Sequence, residues 1–154
     1  MKKPIEVKLT YEGYEKVKQD YLDLLARRPG VLTRMVTARE MGDLSENAGY
    51  HAAKEELGSI DRRLRDLKLI IRFADVVKSE GKNVVDFGSK VVVEAQGAKR
   101  EYTIVGAMEA DPMQGKMSDV SPIGSALIGK KIGEVVEVEI PNGKVSYKIL
   151  AIKS

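Results

Sequence analysis

Apolar positions along the chain change their spacing near residue 76. Upstream of it, Tyr50, Ala53, Leu57, Ile60, Leu64, Leu67 and Ile71 step alternately by three and four residues. Such a heptad seam keeps one stripe of a helix against a partner along its whole length. The segment from Thr10 to about Glu40 supplies that partner through Tyr14, Val17, Tyr21, Leu24 or Leu25, Val31 or Leu32, and Met35. Two seams of similar length flanking a short polar stretch predict an antiparallel helical hairpin. About 30 residues per helix, at 1.5 Å each, would build an arm of about 45 Å. Thr10, followed by Gly13 and Tyr14, is placed to cap the first helix. Arg27-Arg28-Pro29-Gly30 falls inside that helix, where proline removes a backbone donor. A kink or local loosening is expected there, with the seam resuming at Val31.

Downstream the period drops to two. Lys90–Glu94, Glu101–Val105, Glu134–Ile140 and Lys144–Leu150 are rich in β-branched residues and read as strands. Pro141-Asn142-Gly143 reads as a hairpin turn, because Asn-Gly takes positive φ angles readily. One short helix interrupts the strands: Ser121 caps it, Pro122 opens it, Ile123 to Ile128 form its body and Gly129 ends it. The result is an α+β chain. An N-terminal coiled-coil hairpin spans 1–76, a linker spans 77–83, and a small, mostly antiparallel β domain with one short helix spans 84–154.

Composition narrows the picture by exclusion. With 43% hydrophobic residues the chain can build a core, and 32% charged residues suits a long, solvated element. A formal charge of +3 does not by itself mark a nucleic-acid protein. There is no cysteine, hence no disulfide scaffold and no thiolate metal site. His51 is the one histidine, so no multi-histidine centre forms within one chain. No apolar run follows Met1-Lys2-Lys3-Pro4, and no stretch approaches the roughly 18 apolar residues of a membrane helix. A soluble cytoplasmic protein is expected.

The hairpin must reverse within Arg39-Glu40-Met41-Gly42-Asp43-Leu44-Ser45-Glu46-Asn47. Gly42 suits the left-handed end of the first helix, and Asp43 with Glu46 three residues later has the spacing of an acidic capping box on the second. The same residues also gather charge. Glu40, Asp43 and Glu46 put three carboxylates at the end of a thin arm, and oxygen ligands of this kind suit a hard cation such as magnesium. Magnesium often takes only one or two protein carboxylates, so such a tip would serve best by completing a site on another molecule. The two readings are compatible.

Antiparallel pairing about the tip sets residues side by side whose numbers sum to roughly 88 to 90. Arg27 and Arg28 then lie level with Arg62, Arg63 and Arg65, a basic patch suited to a phosphate backbone. Ordinary ion pairing with Asp23, Asp61 and Asp66 competes with that reading.

Gly42-Asp43-Leu44-Ser45-Glu46-Asn47-Ala48, followed by Tyr50-His51-Ala52-Ala53-Lys54-Glu55, closely resembles the signature of the Gre transcript-cleavage factors, the GreA/GreB family. Ile104-Val105-Gly106, Glu109-Ala110-Asp111 and Ser121-Pro122-Ile123-Gly124 with Ala126-Leu127-Ile128-Gly129-Lys130 match in the second half. The resemblance covers nearly the whole chain and leans to the GreA type, since the GreB type is more strongly basic. It implies an FKBP-like β domain that docks on RNA polymerase, around Ser121 and Pro122, while the coiled coil enters the secondary channel. Asp43 and Glu46 would then help hold the second magnesium ion of the polymerase, with Ser45 orienting them and Arg39 and Lys54 flanking the tip. The arginine patch would guide the nascent RNA 3′ end. On this reading the chain is an accessory factor, a monomer that cleaves no RNA alone and holds no cofactor alone; direct DNA contact is left open.

Gly49 departs from the family pattern, where a larger and often acidic residue is common, and puts the fine positioning of the tip in question. His51 is assigned to packing or a hydrogen bond near the tip, because magnesium prefers oxygen. Three alternatives remain to be separated: a Gre-like inhibitor of the same fold, a prolyl isomerase built on the β half, and a coiled-coil adaptor without chemistry. The isomerase would need an aromatic pocket, and after residue 76 the chain offers only Phe87, Tyr102 and Tyr147.

Overall fold

The computed structural model describes residues 6–79 and 83–153. The chain forms two compact units, one of residues Tyr14–Phe73 and one that joins Glu6–Gly13 to the residues from Ala74 onward.

The first unit is the helical hairpin. Helix α1 (Tyr11–Arg39) and helix α2 (Ala48–Phe73) follow the two heptad seams. Val17 and Val31 of α1 and Ala53, Ile60 and Leu67 of α2 are buried, with Tyr14, Tyr21, Leu24, Met35, Leu57 and Leu64 half-buried between them. At the end of α2 the stripe shifts, and Ile70 is buried rather than Ile71. Pro29 does not interrupt α1, which is helical throughout. The Leu25 carbonyl loses its helical donor there, but this stretch is exposed and water can serve it.

The seam has one polar position. Arg28 stands between Leu24 and Val31 where an apolar residue is due, and it is bound to Asp61 of α2 through Nε at 2.6 Å and Nη2 at 3.2 Å. Their numbers sum to 89, inside the expected register.

In the second unit, β1 (Lys8–Leu9) pairs in parallel with β2 (Asp75–Val76). Both lie inside the expected hairpin domain of 1–76 but group with the β unit. Strands of two residues carry no readable period, so pattern alone does not find them. The main sheet holds β3 (Lys90–Ala95), β4 (Ala98–Val105), β5 (Lys116–Ser118), β6 (Val135–Ile140) and β7 (Gly143–Lys153) in the order β5-β4-β3-β7-β6. Every pairing is antiparallel except β4 with β5. Helix α3 (Pro122–Leu127) is capped by Ser121, whose Oγ accepts from the Gly124 N–H at 3.0 Å, and Gly129 follows at φ +85°.

One face of the sheet packs Val91, Val93, Tyr102, Ile104, Tyr147 and Ile149 with Leu127 of α3. Each such aliphatic side chain contributes about 1.5–3 kcal/mol by leaving water. Phe87, Tyr102 and Tyr147 are all buried, so the three aromatics weighed for an isomerase pocket are core residues instead. Two turns differ from expectation. Pro141 and Asn142 form the β6–β7 turn with Gly143 already in the strand, and Asn142 keeps a negative φ. The positive-φ pair is Gln96-Gly97 between β3 and β4, which the pattern hides because glutamine is not a usual left-handed residue.

Candidate functional site

The tip of the hairpin is built by two successive caps. Helix α1 ends at Arg39, and Gly42, at φ +125°, redirects the chain. Asp43 then caps a single 3-10 turn, Leu44–Glu46, its Oδ1 accepting the Ser45 N–H at 3.0 Å and the Ser45 hydroxyl at 2.8 Å. Helix α2 starts only after that turn, and Asn47 caps it by accepting the Tyr50 N–H at 3.0 Å. The expected capping box of Asp43 and Glu46 on α2 is therefore not formed. Asp43 caps the intervening turn, and Glu46 precedes α2 rather than lying in its first turn.

Asn47 is the residue that sequence reasoning missed. Its Nδ2 donates to the Ala38 carbonyl at 2.6 Å, and its own carbonyl accepts the His51 N–H at 3.1 Å. One side chain thus gives the Ala38 carbonyl a second donor beside the Met41 N–H at 3.1 Å and satisfies an orphan N–H at the start of α2. The available signal was its rank among N-cap residues, with Ala48 directly after it.

The consequence is that the acidic groups stay open. Residues Met41 to Glu46 are all exposed. Asp43 uses one carboxylate oxygen for both bonds, and the Glu46 carboxylate has no partner among the described residues. The Ser45 hydroxyl bond, then the Ser45 N–H, hold the Asp43 carboxyl below its usual range, so it is charged at neutral pH. No cluster of three or more acidic or histidine side chains able to hold a metal forms among the described residues. Asp43 and Glu46, with Asp43 Oδ2 unclaimed, fit the smaller share of one or two carboxylates that magnesium commonly takes.

Around the tip, Arg39 is the last residue of α1 and is exposed. Lys54 sits 5.9 Å from the Tyr50 ring centroid, and His51 meets the same ring edge-on at 5.4 Å. A Cβ on Gly49 would make ordinary contacts, 3.5 Å to Asn47 Oδ1 and 3.9 Å to Ala38 Cβ, so this position does not require glycine.

Farther along the arm the five arginines differ in their partners. Arg28 is committed to Asp61, and Arg27 reaches Glu56 at 3.5 Å beside Arg34 at 2.6 Å. Arg62, Arg63 and Arg65 make no salt bridge among the described residues. Arg65 and Lys68 line a groove floored by Tyr21, Leu64 and the Arg28–Asp61 pair. In the β unit, the Ser121 hydroxyl donates to the Ser118 carbonyl at 2.6 Å while capping α3, which leaves exposed Pro122 and its neighbour Val120, 76% exposed, as the open surface.

A helical hairpin ending in an exposed acidic loop, followed by a small β unit, defines a factor that presents carboxylates at the end of an arm. The family model described as transcription elongation factor, N-terminal, matches residues 7–76, and the one described as transcription elongation factor, GreA/GreB, C-term, matches residues 80–154. The chain is 45% identical to transcription elongation factor GreA of Thermoanaerobacter pseudethanolicus over 99% of each chain. It is 38% identical to that of Limosilactobacillus fermentum over 94% of this chain and 95% of the relative. The crystal structure of GreA factor homolog 1 (Gfh1) of Thermus thermophilus is 31% identical, covers 97% of this chain and 100% of that one, and superposes with a TM-score of 0.45. The chain belongs to the GreA/GreB family of transcription elongation factors. Among the described residues, no helix is long and apolar enough to cross a membrane.

Proposed function

We propose that the chain docks on RNA polymerase, inserts the hairpin tip into the secondary channel and stimulates the polymerase's own hydrolysis of backtracked RNA. The observation that carries this reading is the pair of exposed carboxylates at the tip, Asp43 with a free oxygen and Glu46 without a partner. Asn47 caps α2, and Asp43 caps only the 3-10 turn through one oxygen, so its second oxygen and the Glu46 carboxylate stay open. Asp43 and Glu46 would hold a magnesium ion jointly with ligands of the polymerase, and the ion would supply an activated water for attack on the phosphodiester. Ser45 would orient the Asp43 carboxylate through its two bonds to Oδ1. Pro122 and Val120 would contribute to docking, and Arg62, Arg63 and Arg65, with Arg27 and Arg28 partly neutralised, would attract the extruded RNA 3′ end. Arg39 and Lys54 flank the tip and would offset its charge against the RNA.

On this reading the protein is an accessory factor and not itself an enzyme, acting as a cytoplasmic monomer. The test is RNA release from a stalled, backtracked elongation complex. Wild-type protein should release short 3′ fragments, Asp43→Ala with Glu46→Ala should bind polymerase without releasing them, and the protein alone should cleave nothing. An inhibitor of the same fold would release no fragment in its wild-type form, and an adaptor would act equally well without the two carboxylates.

A further inference from the structure

The register of the main sheet lines up one row of outward side chains across four strands. Lys153 on β7 lies opposite Lys90 on β3, Lys90 opposite Thr103 on β4, and Thr103 opposite Lys116 on β5. The neighbouring Val91 and Tyr102 belong to the core, so alternation puts this row on the sheet's other face. Like charges directly opposite each other weaken a sheet. Elsewhere the same sheet avoids this: Glu94 stands between Lys99 and Lys148, and Glu139 faces Lys144. The Lys90 row has no such compensation, and Lys78, Lys90 and Lys116 make no salt bridge among the described residues.

Lys90, Thr103 and Lys116 line a cavity of about 530 Å³, together with Tyr11 and Lys78. That volume is in the range of small-molecule sites. Tyr11 is 53% exposed, and the Lys78 ammonium lies 5.6 Å from its ring centroid. Two acids also line the cavity. Glu109 is occupied, accepting the Thr10 N–H at 2.8 Å and the Thr10 hydroxyl at 2.6 Å, and Glu12 is exposed. Three lysines against two glutamates leave a net positive site with an exposed aromatic ring, approached by the Lys78 ammonium, and the Thr103 hydroxyl.

We propose that this cavity binds a phosphate-bearing nucleotide, its phosphates taken by Lys90 and Lys116 and its base by Tyr11. Lysine acts as a point charge toward phosphate, and an aromatic ring accepts any base by stacking. The site is separate from the acidic tip and does not depend on the function proposed for it.

Calorimetric titration of the full chain with ATP, inorganic triphosphate and adenosine tests the assignment. ATP should bind saturably at one site. Lys90→Gln with Lys116→Gln should weaken it at least tenfold, and Tyr11→Leu should weaken ATP while leaving triphosphate unchanged. Lys90 and Tyr11 are exposed and Lys116 is half-buried, and unaltered thermal melts of the variants would confirm that they fold. No saturable binding of ATP at millimolar concentration overturns the proposal. So does binding that survives the double lysine change, or triphosphate binding as tightly as ATP. A short single-stranded RNA that binds these lysines at least tenfold more tightly than ATP would replace the nucleotide with a nucleic-acid strand and overturn it equally.

Discussion

Asn47 donates from Nδ2 to the Ala38 carbonyl oxygen at 2.6 Å while its Oδ1 accepts the Tyr50 N–H at 3.0 Å. The two helices of the hairpin are therefore tied at the tip by one side chain. Asn47→Ala removes both bonds, an N-cap worth about 1 kcal/mol and a further bond of similar size. A loss of about 1–2 kcal/mol in chemical denaturation is expected, with faster amide exchange at Tyr50 and His51. Asn47→Ser keeps a cap but not the bridge to Ala38, and it should recover about half of the loss. A serine variant as stable as the wild type would show that the bridge contributes nothing, and equal losses in the two variants would show the same of the cap.

Glu109 and Thr10 form a second tie, this one within the β unit, and Gly13 leaves room for it. The Glu109 carboxylate binds the backbone and hydroxyl of Thr10, and a Cβ on Gly13 would overlap that carboxylate. Gly13→Ala in an ordinary helix would gain up to about 1 kcal/mol. Here it should lose about 1–3 kcal/mol, because the carboxylate must leave Thr10. In a Glu109→Ala background the same change should turn neutral or stabilising. This double-mutant cycle, read by denaturant melts, isolates the contact. A Gly13→Ala cost that is equal in both backgrounds would place the strain elsewhere.

The long elements were legible because their periods are long. Seven seam residues on α2 and four β-branched runs leave few alternative arrangements, and the Ser121 cap of α3 is written locally. The tip was legible in its residues but not in its bonding. Asp43 and Asn47 are both good caps four residues apart, and only the inserted 3-10 turn decides which one caps α2. The β1–β2 pair, β5 and the parallel β4–β5 pairing rest on contacts between segments distant in sequence, which no local pattern records. Arg28 looked like a member of a surface patch, and its place in the apolar seam emerges only from the register that brings Asp61 beside it.

The Arg28–Asp61 pair carries a pH prediction. The hydrogen bond from Arg28 holds the Asp61 carboxyl below its usual range, burial opposes this, and the charges of Arg28 and then Arg65 add to the lowering. A carboxyl lowered by folding stabilises the native state above its unfolded pKa, near 3.9, and that contribution is lost as pH falls through the folded value. Both side chains are 37% exposed, so water screens the pair and it is worth at most about 1 kcal/mol. Asp61→Asn should therefore lower stability by about 0.5–1 kcal/mol at pH 7, and the gap should close as pH drops below about 4. Urea melts of both proteins at pH 7, 5 and 3 measure it. A gap of constant size across that range would assign the effect to packing.

Ser45 offers the sharpest test of the tip, because its hydroxyl and N–H both bind Asp43 Oδ1 and leave Oδ2 unclaimed. Ser45→Ala removes the hydroxyl bond, the larger cause of the lowered Asp43 pKa, and keeps the N–H. The carboxyl should move back toward its ordinary value, still well below neutral, so its charge at pH 7–8 does not change. What changes is the hold on the carboxylate. Removing a group that orients a metal ligand typically costs 10–100-fold in metal affinity or activity. Ser45→Ala should need roughly tenfold more magnesium for half-maximal stimulated cleavage, with the full rate regained at high magnesium. Ser45→Thr, which keeps a hydroxyl, should behave like the wild type, and Asp43→Asn should not recover at any magnesium concentration. Magnesium titrations of RNA release at fixed pH separate these cases. A Ser45→Ala curve superimposable on the wild-type curve would mean that this bond only shapes the loop, and the orienting role of Ser45 would then be wrong.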